Sequence, residues 1–215
     1  MLGPLPPYAR FNDFLPESDH RRILEWVLSN SAQFSAAVVT DGEIGSEYAV
    51  SLEDRIALTS KNLGPFGPML RKHLLGAIEE IVACTGTPIS PQSLDLEFSA
   101  YGNGAFFTPH IDISTGLNRK PLSGEPGQDR ILSAVYHFYR EPKAFSGGAL
   151  RLYRFGANST DSDADPVSHI DLEPVNNSLI AFPSTALHEV RPVECPTANF
   201  ADYRFALNCW YCRAL

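Results

Sequence analysis

The sequence predicts a mainly β fold with flanking helices: a jelly roll with helices packed on one sheet. Three observations carry that expectation. Seventeen prolines and fifteen glycines in 215 residues punctuate the chain too often for a helical bundle. Two stretches in the first 90 residues repeat apolar side chains at helical spacing. After Gly86 the period changes to two, through eight short runs separated by turn residues.

Residues 17–30 predict the first helix. Ile23, Leu24, Val27 and Leu28 form its apolar face, and acidic residues occupy its first turn. Residues 68–83 predict one longer helix. Leu70, Leu74, Ala77, Ile78, Ile81 and Val82 share a face, Pro68 sits at the start, and Gly86 lies just past the end. The alternation is plainest in residues 94–100. Leu94, Leu96, Phe98 and Ala100 point one way; Asp95, Glu97 and Ser99 point the other. Further strands are expected over 105–111, 130–139, 149–155, 167–172, 178–182, 187–193 and 203–212. Gly102-Asn103-Gly104, Ser146-Gly147-Gly148, Pro174-Val175-Asn176-Asn177 and Pro183-Ser184 supply the turns between them. Residues 42–67 and 114–129 are polar stretches too long for turns, and loops of that length are usually lids, binding loops or disordered segments. No linker-like segment divides the chain. One domain over 1–215 is expected, with helical support to about residue 90 and a barrel from about residue 91.

Composition excludes several functions. Lys and Arg number 17 against 25 Asp and Glu, a net charge of −8. A general nucleic-acid binder needs a basic face, so no nucleic-acid partner is expected. No apolar run approaches the roughly 20 residues that cross a bilayer, so no membrane partner is expected either. Residues 1–10 hold three prolines and no apolar core of a signal peptide. Four cysteines, at 84, 195, 209 and 212, are too few for a disulfide framework and suit a reducing cytoplasm.

The histidines carry the chemistry. His110-Ile111-Asp112 closes a predicted strand behind a Gly-rich turn. A His and an Asp two apart lie on one side of an extended chain, so both can reach one ion. His188 opens another strand. Two imidazoles and one carboxylate make the facial triad of non-haem iron oxygenases, with coordination positions left open. A second copy, His169-Ile170-Asp171, lies nearer His188. It follows Asp161, Asp163 and Asp165 and precedes Glu173-Pro174, so it reads as a solvated strand face. His137 alternates away from Tyr136 and reads as structural, and His20 and His73 as surface or packing residues. Cys209-Trp-Tyr-Cys212 has CxxC spacing, but its sulfurs point to opposite strand faces and no second pair completes a zinc site. Ser184 has no nucleophile-elbow context.

The ordered motifs extend from Tyr101 to Tyr211. They are Tyr101-Gly-Asn-Gly-Ala-Phe-Phe-Thr-Pro-His110-Ile-Asp112, Arg130-Ile-Leu-Ser-Ala-Val-Tyr136, Ser146-Gly-Gly-Ala-Leu-Arg-Leu-Tyr153, Asn177-Ser-Leu-Ile-Ala-Phe-Pro-Ser184, His188-Glu-Val-Arg-Pro-Val193 and Arg204-Phe-Ala-Leu-Asn-Cys-Trp210-Tyr211. In this order they resemble the 2-oxoglutarate- and Fe(II)-dependent oxygenases of the prolyl-hydroxylase type. The resemblance implies a double-stranded β-helix with Fe(II) between its sheets. His110, Asp112 and His188 would be the catalytic iron ligands, and 2-oxoglutarate and dioxygen would take the open positions. The far carboxylate of 2-oxoglutarate needs a buried cation. Arg204 fits that need, because guanidinium offers a two-pronged fork and stays charged. It shares a strand face with Ala206, Asn208 and Trp210. By resemblance Tyr136 would hydrogen-bond the same carboxylate, and Tyr101 would line the cosubstrate pocket.

The implied reaction is hydroxylation of a C–H bond coupled to conversion of 2-oxoglutarate to succinate and carbon dioxide, with ascorbate as reductant. Asp112 matters, because related halogenases lack that carboxylate. Trp210, where nucleic-acid demethylases carry a second arginine, agrees with the acidic charge. The implied substrate is a prolyl residue of a peptide or protein, or a small amino-acid or natural-product molecule. The gaps from Asp112 to Arg130 and from His188 to Arg204 are longer than the family's. Residues 194–202 must therefore bulge outward. Residues 42–67, with Arg55, and 114–129 are expected to shape substrate choice. Two rival functions remain: a cupin-type metalloenzyme that does not use 2-oxoglutarate, and a non-catalytic jelly-roll binding module.

Overall fold

The alternation that starts at Leu94 builds the centre of the larger of two sheets. The structure, a computed structural model, describes residues 3–38, 51–91, 93–113, 128–156 and 168–214. In chain order the first elements are β1 (Ala9–Phe11), α1 (Glu17–Ser29), β2 (Ser35–Ala36), β3 (Arg55–Ile56), β4 (Leu58–Ser60), α2 (Gly67–Gly76) and α3 (Ile78–Thr85). The strands that follow are β5 (Ser93–Tyr101), β6 (Phe106–His110), β7 (Gln128–Phe138), β8 (Ser146–Gly147), β9 (Leu150–Tyr153) and β10 (His169–Leu172). The chain closes with β11 (Ser178–Pro183), β12 (His188–Val190), β13 (Val193–Glu194) and β14 (Arg204–Ala214).

Among the described residues, seven strands pair as β1-β11-β7-β14-β5-β4-β2 and five as β10-β9-β12-β6-β3. Every pairing is antiparallel, and β8 and β13 form a small separate ribbon. One face of the larger sheet is apolar. Phe98 on β5, Leu207 on β14 and Tyr136 on β7 lie side by side across it. Ile23 and Val27 of α1, Leu70 and Leu74 of α2 and Ile81 of α3 cover this face. Each such side chain contributes about 1.5–3 kcal/mol on burial. The tie is also polar in one place, where the Tyr211 hydroxyl donates to the Leu74 carbonyl at 2.8 Å.

The expected helices form, but residues 68–83 are not one helix. They divide at Ala77, whose φ and ψ are −87° and −3°. Gly76 stands just before the break and is a poor helix former. Gly86 ends α3 in the left-handed conformation, as its position predicts. The expected strand over 187–193 is also two elements, β12 in the smaller sheet and β13 in the ribbon. The stretch 42–67 is not structureless over its described part, because β3 and β4 lie there and join different sheets. Residues 42–50, 114–127 and the acidic run Asp161, Asp163 and Asp165 lie outside the described residues. Within 194–202 a short helical turn at Phe200–Asp202 sets Phe200 against Phe34 and Phe205, with ring centroids 5.2 and 5.1 Å apart. No helix among the described residues is long and apolar enough to cross a membrane.

Candidate metal centre

Strands β6 and β12 lie side by side in the smaller sheet, and their register sets His110 directly opposite His188. The two rings are 4.2 Å apart between centroids. Asp112 lies just past the end of β6, and its amide donates to the Ser184 carbonyl at 3.0 Å. The result is a cluster in which one ligand atom from each of His110, Asp112 and His188 lies within 4.8 Å of the others. His110 Nε2 is 3.8 Å from Asp112 Oδ1, and His188 Nε2 is 3.5 Å from Asp112 Oδ2.

Neighbouring groups orient all three. His110 Nδ1 faces the Thr108 carbonyl at 2.8 Å, and His188 Nδ1 faces the Ala186 carbonyl at 2.9 Å. A carbonyl only accepts, so each Nδ1 carries a proton, and each Nε2 is the ring nitrogen turned toward the cluster. Ser133 donates its hydroxyl to Asp112 Oδ2 at 2.6 Å and is itself 2.9 Å from the Ser184 hydroxyl. Burial, reinforced by His188 and opposed by Asp112, holds the His110 pKa down to about 3. For Asp112, burial acts upward, but His188, His110 and the Ser133 hydroxyl together keep its carboxyl below the ordinary range. A neutral imidazole beside an ionised carboxylate is the protonation state a divalent cation requires.

The second His-Ile-Asp copy is arranged differently. Asp171 is exposed and faces Arg151 across the β9–β10 pair, which grips it at 2.6 and 2.9 Å. Its carboxylate is committed to a salt bridge on the outer surface.

A narrow cavity lined by this cluster also reaches Arg204 and Tyr101. Arg204 is completely buried. Its Nε donates to the Gly148 carbonyl at 2.8 Å, its Nη2 donates to His137 Nε2 at 3.0 Å, and its Nη1 has no partner. Its guanidinium carbon lies 4.9 Å from the Tyr101 ring centroid. Burial draws its pKa down to about 10. No carboxylate pairs it among the described residues. A buried, unpaired guanidinium is costly on its own, and it suits the second carboxylate of a dicarboxylate anchored at the triad. Gly148 makes room for it: a Cβ there would lie 2.6 Å from Arg204 Cδ, and its φ of +71° disfavours other residues in any case. Burial and the adjacent Arg204 keep His137 neutral by pushing its pKa well below the usual imidazole value. The donor set and the buried cation therefore fit Fe(II) and 2-oxoglutarate.

One expectation is corrected here. Tyr136 does not reach this cavity. It faces the helices, where its hydroxyl donates to Asn177 Oδ1 at 2.9 Å and meets His20 Nδ1 at 2.8 Å. The reason is register. Tyr136 pairs with Leu207, which lies on the opposite face from Arg204, whereas His137 pairs with Ala206 on the Arg204 face. His137, expected to be structural, is the residue of β7 that touches Arg204. Ser133 was also missed, and the alternation of β7 was the signal, since Ser133, Val135 and His137 share a face.

The family model described as the 2OG-Fe(II) oxygenase superfamily matches residues 96–212, more than half of the chain. The chain belongs to this family. Its two facing sheets are the double-stranded β-helix. A protein of Synechocystis, described as an uncharacterized PKHD-type hydroxylase, is 27% identical over 204 residues. That match takes in 94% of this chain and 62% of the relative, so the chain spans less than two thirds of the relative's length. Among solved structures, a Pseudomonas putida prolyl-4-hydroxylase is similar with a TM-score of 0.58 and 21% identity, covering 96% of this chain and 92% of its own. A Trichoplax adhaerens prolyl hydroxylase, in complex with a hypoxia inducible factor peptide fragment, is similar with a TM-score of 0.62 and 19% identity, covering 96% and 83%.

Proposed function

We propose that this oxygenase-family chain is an Fe(II)- and 2-oxoglutarate-dependent dioxygenase that hydroxylates a prolyl residue. The observation that carries the proposal is Arg204: buried, unpaired at Nη1, and lining the same cavity as a two-histidine, one-carboxylate cluster. A cupin-type enzyme without 2-oxoglutarate gives that cation no task, and a non-catalytic module gives the cluster none.

His110, Asp112 and His188 would hold the iron through two Nε2 atoms and one carboxylate oxygen. Arg204 would grip the far carboxylate of 2-oxoglutarate, with His137 accepting from Nη2 and keeping the fork turned. Tyr101, itself buried, walls that end of the cavity. When bound, iron, 2-oxoglutarate and dioxygen supply the oxidising chemistry, giving succinate, carbon dioxide and a hydroxyl on the substrate carbon. Ascorbate is the proposed reductant. The prolyl substrate is supported by the similar Trichoplax enzyme, whose structure holds a peptide. The four cysteines are all unpaired, which supports a reducing cytoplasmic location.

Succinate release from the iron-loaded protein, screened over candidate substrates, tests this function. Turnover of 2-oxoglutarate by the wild type and its loss in Arg204→Ala are expected. No turnover in the wild type overturns the proposal. A calorimetric titration with Mn(II) checks the ligands: His110→Ala should lose detectable binding and His169→Ala should keep it.

A further inference from the structure

Among the described residues, three buried side-chain nitrogens have no hydrogen-bond partner: Arg204 Nη1, His137 Nδ1 and Arg55 Nε. Native structures leave few such atoms, and each calls for a ligand or another explanation. Arg204 lines the cavity and its Nη1 falls to the cosubstrate, whereas His137 is not among the lining residues and meets Arg204 through its other ring nitrogen. The chemistry described above leaves Arg55 Nε unassigned.

Arg55 lines the same cavity at another depth. Arg204 is paired with Tyr101, whereas Arg55 Nη2 reaches Ser99 Oγ at 3.2 Å and Glu97 Oε1 at 3.5 Å, two and four residues earlier on β5. Edge strand β3 sets Arg55 opposite Phe107 of β6, with the guanidinium 4.8 Å from that ring. Phe107 in turn stacks on His110 at 3.6 Å. One aromatic ring thus separates the guanidinium from a proposed iron ligand. The Glu97 contact is loose for a pair with side chains only 9% and 15% exposed. Arg130–Asp95 closes to 2.9 Å and Arg151–Asp171 to 2.6 Å. Glu97 offsets the charge of Arg55 without taking up its Nε proton.

We infer that Arg55 anchors the substrate, its Nε donating to an sp² oxygen beside the reacting ring of a prolyl unit. The inference rests on the proposed hydroxylase function and adds the residue that selects its substrate. With Glu97 in place the Arg55 site is nearly neutral, so it accepts the peptide carbonyl of a prolyl residue or the carboxylate of free proline.

The test uses protein loaded with Mn(II) and 2-oxoglutarate, titrated calorimetrically with N-acetyl-L-proline methylamide and with L-proline. The wild type should bind one of the two. Binding of the amide identifies a peptide carbonyl as the source of the oxygen, and binding of L-proline identifies a carboxylate. Arg55→Lys keeps a cation beside Glu97 and lacks the Nε donor. It should weaken that probe at least about tenfold, with Mn(II) and 2-oxoglutarate affinities within about twofold of wild type. Arg55→Gln with Glu97→Gln removes both charges together and should lose the probe equally. Unchanged probe affinity in Arg55→Lys overturns the inference. So does a parallel fall in Mn(II) affinity, which would mean that Arg55 acts through Phe107 and His110. Binding of neither probe by the wild type overturns it as well. Failure of the hydroxylase function looks different: the wild type would then not bind Mn(II) with 2-oxoglutarate at all.

Discussion

Phe98, Leu207 and Tyr136 form one row across the larger sheet, and Ser99, Ala206 and His137 form the next row on the other face. The first row lies under the helices in the main apolar cluster. The second belongs to the polar interior, where His137 meets Arg204 and Ser99 meets Arg55 and Asn208. The same three strands hold the fold together on one face and arrange chemistry on the other. Because side chains alternate, a shift of one residue moves a side chain from one task to the other. Tyr136 and His137 are the instance that matters most.

The two faces should respond to different substitutions. Phe138→Ala empties a fully buried site beside Phe98 and Phe205. It should cost about 3–5 kcal/mol in chemical denaturation, while the fraction still folded binds Mn(II) normally. Weaker Mn(II) binding by that folded fraction would show that the faces are not separable. Arg204→Met acts on the other side. It should remove about 3 kcal/mol or more of 2-oxoglutarate binding, and it should leave the ligand-free protein as stable as wild type or more so, because an unpaired buried cation is gone. Calorimetry and thermal unfolding read the two effects, and a destabilised ligand-free variant would contradict this reading of Arg204.

His137 gives a smaller, pH-dependent difference. Burial, then Arg204, pushes its folded pKa well below the ordinary 6.5. Below pH 6.5 the unfolded chain takes up a proton that the folded protein refuses. The stabilisation is therefore complete above pH 6.5 and is lost as the pH falls toward the folded value, at up to about 1.4 kcal/mol per pH unit. His20 and His110 are depressed in the same direction. The difference in slope between wild type and His137→Gln isolates His137, and identical slopes would refute its buried, neutral state. Tyr136→Phe should have the smallest effect. Losing its hydroxyl contacts with Asn177 and His20 should cost about 1 kcal/mol, with 2-oxoglutarate affinity unchanged. A fall in that affinity would return Tyr136 to the cosubstrate pocket.

Long periodic segments were legible because burial imposes their period. Leu94 to Ala100 alternate as expected, and the apolar positions of α1 meet the sheet. The short strands were not legible. β1 to β4 have two or three residues each, too few to show any period, and tertiary pairing alone holds them. The helix break at Ala77 was masked by an apolar stripe that continues across it. The His110, Asp112 and His188 cluster was legible as a motif. The partner of Asp171 was not legible, because Arg151 lies twenty residues away in the chain and across a strand pair.

The sequence by itself determined the β alternation, the helical support, the residue types able to hold a metal, and the face that Arg204 shares with Ala206, Asn208 and Trp210. Those are local properties, set by the backbone period and by the chemistry of each side chain. The tertiary structure decided which strands pair and in which register. Register turned Tyr136 toward the helices and His137 toward Arg204. Edge pairing carried Arg55 from a loop-like stretch to within one aromatic ring of His110. Contacts of this kind are long-range, so their cause lies in the packing of the two sheets and not in any single segment.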